Sequence, residues 1–236
     1  MPEKTDVLVI GGGAIGASVA YFVKRLDPGA EVTVVERDPA YTLASTPRAS
    51  GGVRRLFSLP ENIALSTYSI GFFEDFPAAM AADGGPADIG LRQDGYLFIV
   101  PPPDREVLRR NFDVQRQLGC RVLWLEPDEL KHRFPSMNVA DLGAAVLSPD
   151  DGWLDPHSVL MGLKNKARSM GTRFLADEVT GLVRQGHRVT AARLASGARI
   201  EAAHVVNAAG AWAKEICALI DVPVPIEPLR RYEHYF

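Results

Sequence analysis

The stretch from Asp6 to Asp38 constrains this chain more than any other. Asp6-Val-Leu-Val-Ile10 runs into Gly11-Gly12-Gly13-Ala14-Ile15-Gly16, and a second apolar run, Val32-Thr-Val-Val35, stops at Glu36. Strand, glycines, amphipathic helix, strand and acid in that order make a mononucleotide-binding βαβ unit. Gly11 lets the strand turn sharply, Gly13 has no Cβ to block a pyrophosphate, and Gly16 lets the helix pack close to the strand. The phosphates then rest on N–H groups at the helix N-terminus, where the dipole favours negative charge. The spacing predicts a helix over 14–26 with Ile15, Val19, Phe22, Val23 and Leu26 on its buried side, then a turn at Asp27-Pro28-Gly29. A carboxylate at position 36 accepts hydrogen bonds from the 2′- and 3′-hydroxyls of a ribose and repels a 2′-phosphate, which disfavours NADP.

With 236 residues, 47% of them hydrophobic, the chain can bury one large core or two small ones. A net charge of −3 gives no basic surplus for nucleic acid or an anionic membrane. Cys120 and Cys217 have no C-x-x-C partner, so each reads as a small hydrophobe in a reducing compartment. The apolar run at 7–10 is too short for a signal sequence or a membrane span. Cytoplasm is the expected location.

After Asp38 comes a long loop of small polar residues, too long for a simple connector. Ser58-Leu-Pro-Glu61 reads as a capping box opening a helix that Pro77 stops. Strands are expected at 89–91 and 95–100, with a boundary near residue 85. A helix capped by Asp104 follows to Leu118, then a strand at 121–125, a helix at 126–134 and a strand at 142–147. Asp155-Pro156 opens a helix to Met170, and 172–175 extends the first sheet. Three alternating runs, 179–184, 188–194 and 199–203, form a β-meander. A buried strand at 204–207 ends at Ala208-Ala209-Gly210, a helix covers 212–220, and a proline-interrupted strand occupies 223–236. The fold class is α/β: a Rossmann-like domain over 1–84 and 151–222 with a meander crossover. An α+β domain is inserted at 85–150, and the chain starts back into it at 223–236.

Five ordered motifs carry a resemblance: Val9-Ile-Gly-Gly-Gly-Ala-Ile-Gly16, Ala44-Ser-Thr46, Ala49-Ser-Gly-Gly-Val-Arg54, Gly152-Trp-Leu-Asp-Pro156 and Val205-Val-Asn-Ala-Ala-Gly-Ala-Trp212. Together they resemble the D-amino-acid oxidase superfamily of flavoenzymes, nearest to its glycine and sarcosine oxidase branch. Ala44-Ser-Thr46, and Gly51-Gly-Val-Arg54 leading to Phe57-Ser-Leu-Pro-Glu-Asn62, look most like the FAD-dependent oxidoreductase domain-containing proteins of that branch. The resemblance implies FAD, held noncovalently, and oxidation of the C–N bond of a small amine or amino acid by hydride transfer to flavin N5. It leaves open a non-catalytic FAD-binding assembly factor or electron-transfer subunit. Without it, the βαβ unit alone also fits an NAD-dependent dehydrogenase.

The resemblance also distributes roles. Gly11, Gly13, Gly16 and the N–H groups of Ala14 and Ile15 would hold the pyrophosphate, and Glu36 the ribose with Arg37 beside it. Ser45 and Thr46 would reach the phosphate and ribityl region, while Ala49, Ser50, Gly51 and Gly52 would pass under the isoalloxazine. Val179 would meet the adenine through its backbone, and Ala208, Ala209 and Gly210 would back the adenosine. Arg54 is the candidate for binding a substrate carboxylate or polarising the flavin, or is a loop arginine paired with a surface acid. Tyr232, His234 and Phe236 share one face of the last expected strand, Arg231, Glu233 and Tyr235 the other. Tyr232 or His234 is a candidate for touching substrate, with simple core packing or a cut end as the favoured alternative. No histidine has metal-ligand spacing. Members of the superfamily continue for well over a hundred more residues, so the chain reads as a portion whose remainder lies downstream or in a second subunit.

Overall fold

A computed structural model describes residues 3–82, 85, 87–232 and 234. In chain order the elements are β1 (Glu3–Ile10), α1 (Ala14–Leu26), β2 (Val32–Glu36), β3 (Gly52–Val53), α2 (Pro60–Glu74) and α3 (Phe76–Ala79). Then come β4 (Tyr96–Val100), α4 (Arg105–Gln117), β5 (Leu123–Leu125), α5 (Pro127–Arg133), β6 (Ala144–Ser148) and β7 (Gly152–Trp153). The chain continues with α6 (Pro156–Ser169), β8 (Arg173–Ala176), β9 (Val179–Gln185), β10 (Arg188–Leu194), β11 (Arg199–Asn207) and α7 (Ala213–Ala218). Two compact units result, one of residues 1–50, 78–87 and 156–236, the other of 51–77 and 88–155. The expected boundary near residue 85 is thus joined by an earlier one after Ser50. Helix α2, expected with the first domain, buries Ile63 in the core of the second unit.

In the first unit the sheet order is β8-β2-β1-β11-β10-β9. β8, β2, β1 and β11 run parallel, and β10 and β9 add antiparallel. The carboxyl ends of the four parallel strands therefore lie along one edge, with the order switching at β1, where α/β sheets bind ligands. One face carries Leu8, Ile10, Val35, Val179, Leu194 and Ile200. On the other face α1 packs near Val9 and against α6.

Three expectations in this unit are corrected. The buried side of α1 consists of Gly16, Ala17, Ala20, Tyr21 and Lys24, while Ile15 is 69% and Leu26 84% exposed. Close approach to the strand selects small residues: a Cβ on Gly16 would lie 1.9 Å from the Gly11 carbonyl oxygen. Lys24 is buried because its ammonium donates to the carbonyls of Pro28 (2.6 Å) and Ala30 (2.9 Å), closing the turn after the helix. The third meander run and the strand expected at 204–207 are one nine-residue strand, β11, which pairs with β10 on one side and β1 on the other. His204 is exposed and 205–207 only half-buried. The described residues beyond Asp221 form no strand, and Tyr232 and His234 are exposed. Glu233, Tyr235 and Phe236 lie outside the described residues.

The second unit holds an antiparallel sheet of order β4-β6-β5 and the short β3-β7 ladder. β6 is buried throughout, and its side chains alternate between two cores: Ala144 and Val146 with Leu108 and Phe112, Ala145 and Leu147 with Leu125 and Leu130. Residues 89–91 form no strand, since Gly90 turns at φ +58° and only Arg92 bridges to Trp153. Neither expected cap at Ser58 nor Asp104 forms: α2 begins after Leu59, and no side-chain cap bond is made at either start. The formed capping box is at Glu126 and Glu129, opening α5. Among the described residues no helix is long and apolar enough to cross a membrane.

Candidate functional site

A cleft of about 520 Å³ opens at the carboxyl edge of the parallel strands in the first unit. Gly11, Gly13, Ala14, Ile15, Glu36, Arg37, Ser45, Thr46, Val179, Ala208, Ala209 and Gly210 all line it, so the structure brings most of the expected cofactor residues together. Gly16 lies behind them, buried in the helix packing.

The glycines have different jobs. Gly11 adopts φ +97°, and a Cβ there would stand 2.5 Å from the Ala208 carbonyl oxygen. The fold therefore needs Gly11 and Gly16 whether or not anything is bound. At Gly13, φ is −63°, and the nearest atom to an added Cβ is Thr46 Oγ1 at 3.7 Å. Nothing in the described chain requires a bare Cα at this cleft-lining position, so the space it leaves is suited to a ligand. Ile15 and Leu43, 69% and 55% exposed, supply apolar wall.

Glu36 does more than the sequence suggests. Its Oε2 accepts the Gly12 N–H at 2.7 Å and its Oε1 the Asp38 N–H at 2.8 Å. Each oxygen keeps acceptor capacity for a hydroxyl, so one carboxylate pins the glycine loop and can receive a ribose. Ala14 N–H donates to Thr46 Oγ1 at 3.3 Å; the Thr46 hydroxyl proton remains available to an anion, while the other N–H groups of the first turn have no intrahelical acceptor. The Arg37 guanidinium lies 4.2 Å over the Trp212 ring and pairs with Glu178 at 3.4 Å. Asp38, Asp177, Glu178 and Glu215 also line the cleft. The Thr42 hydroxyl holds Asp38, and the hydrogen bond with Ser196 holds Asp177, below the usual carboxylate range. Five acids against one arginine make this end of the cleft unfavourable for a phosphate monoester.

Beneath the loop is a residue the sequence reading missed. Tyr41 is buried at φ +57°, and its hydroxyl would stand 3.3 Å from a Cβ on Gly12. Burial first, and Glu36 second, push its phenol up to about 12. Lys164, also buried, places its ammonium 4.6 Å from the ring. No local pattern marks Tyr41 as a support, because its neighbours are far away in sequence.

Ala49 and Ser50 are exposed and do not line the cleft. Gly51, Gly52 and Arg54 belong to the second unit. Gly52 is bare because Tyr96 covers it, Cε2 lying 2.9 Å from where a Cβ would be. Arg54 pairs with no acid among the described residues. Its guanidinium packs over Phe57 (4.8 Å), Phe98 (5.2 Å) and Tyr96 (5.4 Å), and its Nε is buried without a hydrogen-bond partner. A half-buried cation with a buried, unused donor is suited to an anionic ligand.

The profile of a family described as FAD dependent oxidoreductase (DAO) matches residues 6–234. The chain is 36% identical to FAD-dependent oxidoreductase domain-containing protein 1 of Bos taurus, covering 98% of this chain and 54% of that protein. It is 27% identical to the mitochondrial dimethylglycine dehydrogenase of Rattus norvegicus, covering 97% and 26%. Among solved structures, L-proline dehydrogenase from P. horikoshii matches with a TM-score of 0.83 at 29% identity, covering 97% of this chain and 59% of that one. The chain thus spans about half the length of the bovine protein.

Proposed function

The chain belongs to the family of FAD dependent oxidoreductases, and on that premise we propose that it oxidises the C–N bond of a small amine or amino acid bearing a carboxylate, with FAD in the cleft of the first unit. The observation that carries the FAD assignment is Gly13, whose bare Cα lines the cleft and is left unexplained by the protein's own packing. In this reading Glu36 receives the ribose hydroxyls, and the first turn of α1 with Ser45 and Thr46 receives the pyrophosphate. Val179 and the 208–210 segment back the adenosine. In this reading the cofactor is held noncovalently, by the backbone, hydroxyl, carboxylate, guanidinium and apolar groups that line the cleft.

When bound, FAD supplies the two-electron acceptor for the C–H bond next to the substrate nitrogen. The chain's part is to hold the substrate. Arg54 takes the carboxylate, and Phe57, Tyr96 and Phe98 flank the half-buried guanidinium and reduce its contact with water, which strengthens a charge pair formed there. Two similar proteins are named for dimethylglycine and L-proline, both carboxylated amines, which supports this substrate class.

Arg54→Met tests the assignment, in this chain or in a longer protein containing it. Losing a charge-assisted pair of about 1.5–3 kcal/mol should raise KM for carboxylated amines roughly ten- to 150-fold. Uncharged amines of the same skeleton should be nearly unaffected. Equal loss for both classes would make Arg54 a packing residue, and a flavin that no amine reduces would favour the non-catalytic reading.

A further inference from the structure

The segment carrying Arg54 leaves the β3-β7 ladder at Val53, and residues 54–57 pair with no strand. Side chains hold it instead. The Arg55 N–H donates to Asp151 Oδ2 at 2.7 Å, Arg55 Nε to Asp151 Oδ1 at 3.0 Å, and Arg55 Nη2 to the Asp150 carbonyl at 2.9 Å. Asp151 is fully buried. Its own carbonyl accepts the Gly95 N–H at 2.9 Å, while the Asp150 carbonyl accepts Gln93 Nε2 at 2.9 Å and the Asp150 carboxylate accepts Arg121 Nε at 3.0 Å. The Asp150-Asp151 pair is therefore a hub tying together three separate stretches of the second unit.

The Arg55 N–H belongs to the peptide that joins Arg54 to Arg55. A carboxylate gripping that N–H and the Arg55 side chain together fixes the plane from which Arg54 departs. A buried ion pair offers little stability that well-packed apolar residues could not match, so such a pair at a segment without ladder bonds points to a positional role. On the far side, Gln115 Nε2 donates to the Phe57 carbonyl at 3.0 Å and holds the other end of the segment.

We infer that Asp151 is a positioning residue for Arg54: through the Arg54–Arg55 peptide and the Arg55 side chain it fixes the guanidinium among Phe57, Tyr96 and Phe98. This rests on reading Arg54 as the carboxylate-binding group. Asp151 itself touches no ligand in this account.

The test is a double-mutant cycle of Asp151→Asn and Arg54→Met in the FAD-loaded protein, reading calorimetric affinity for propionate against propionamide. A second readout is hydrogen exchange of the Arg54 Nε–H, followed by nitrogen-15 resonance. Asp151→Asn should lower the preference for propionate about tenfold, have no further effect once Arg54 is Met, and speed Nε–H exchange at least tenfold. A lost preference with Arg54→Met but an intact one with Asp151→Asn would overturn the inference and leave the Arg54 reading standing. An intact preference with Arg54→Met would overturn that reading and the inference with it. Unchanged Nε–H exchange in Asp151→Asn would overturn the inference by itself. If Asp151→Asn does not fold, Arg55→Lys carries the same cycle, because a lysine cannot reproduce the paired Nε and Nη2 bonds, and the same outcomes decide.

Discussion

Gly13→Val separates what the fold needs from what the ligand needs. Gly13 sits just before α1 at φ −63° and ψ −173°, a conformation open to L residues, and a Cβ there meets only Thr46 Oγ1 at 3.7 Å. The substitution should change unfolding free energy by less than about 1 kcal/mol. Gly11→Ala and Gly16→Ala should behave differently. The first places a side chain at φ +97°, costing about 1–2 kcal/mol, and drives it into the Ala208 carbonyl; the second drives a Cβ to 1.9 Å from the Gly11 carbonyl oxygen. Overpacking of this kind adds about 1–3 kcal/mol. For FAD the order reverses. A valine side chain in the pyrophosphate space displaces the ligand from its donors at about 1.5–3 kcal/mol per charge-assisted bond, roughly ten- to 150-fold in Kd for each bond lost. The assay is flavin absorbance per protein alongside a thermal melt. A Gly13→Val protein that keeps its flavin, or that melts as early as Gly16→Ala, would refute the reasoning.

Three further outcomes are expected. Glu36→Ala should weaken FAD by roughly 1–3 kcal/mol, five- to 150-fold, and also speed exchange of the Gly12 N–H, which loses its 2.7 Å acceptor; unchanged exchange would limit Glu36 to the ribose. Tyr41, with its phenol at about 12 when folded against an ordinary 10, keeps a proton between those values that the unfolded chain has lost. Its contribution is complete below pH 10 and lost as pH rises through about 12, at most about 2–3 kcal/mol; urea unfolding at pH 9 and 11 should show a steeper loss in wild type than in Tyr41→Phe. Glu126, held at about 2 first by Arg105 and then by Trp124, contributes stability that is present above pH 4.5 and lost as pH falls through about 2. The gap in Tm between wild type and Glu126→Gln should close over that range, and a constant gap would deny the linkage.

The βαβ unit was legible because its signals are local: glycines, helix and Glu36 follow one another along 38 residues. The buried face of α1 was misread for a physical reason. Choosing the largest apolar residues favours Ile15 and Leu26, whereas close helix–strand contact selects Gly16, Ala17 and Ala20. The merging of two expected strands into β11 depends on pairing with β1 and β10 at once, which a run of alternating residues does not encode. Glu178 and Trp212 reach the cleft from positions far from Arg37 in sequence, and no spacing rule links them. The motif singles out Arg54 as a candidate, but its aromatic surroundings and the Asp151 hydrogen bonds to Arg55 required the fold of the second unit.

The central claim is that this chain uses FAD to oxidise a carboxylated amine. The most direct measurement is the visible spectrum of the purified protein, loaded with FAD and mixed without oxygen with sarcosine or L-proline and then with the matching amines that lack a carboxylate. The flavin bands should bleach with the carboxylated amines and persist with the others. A protein that takes up no FAD, or whose flavin bleaches equally with both classes or with neither, would contradict it.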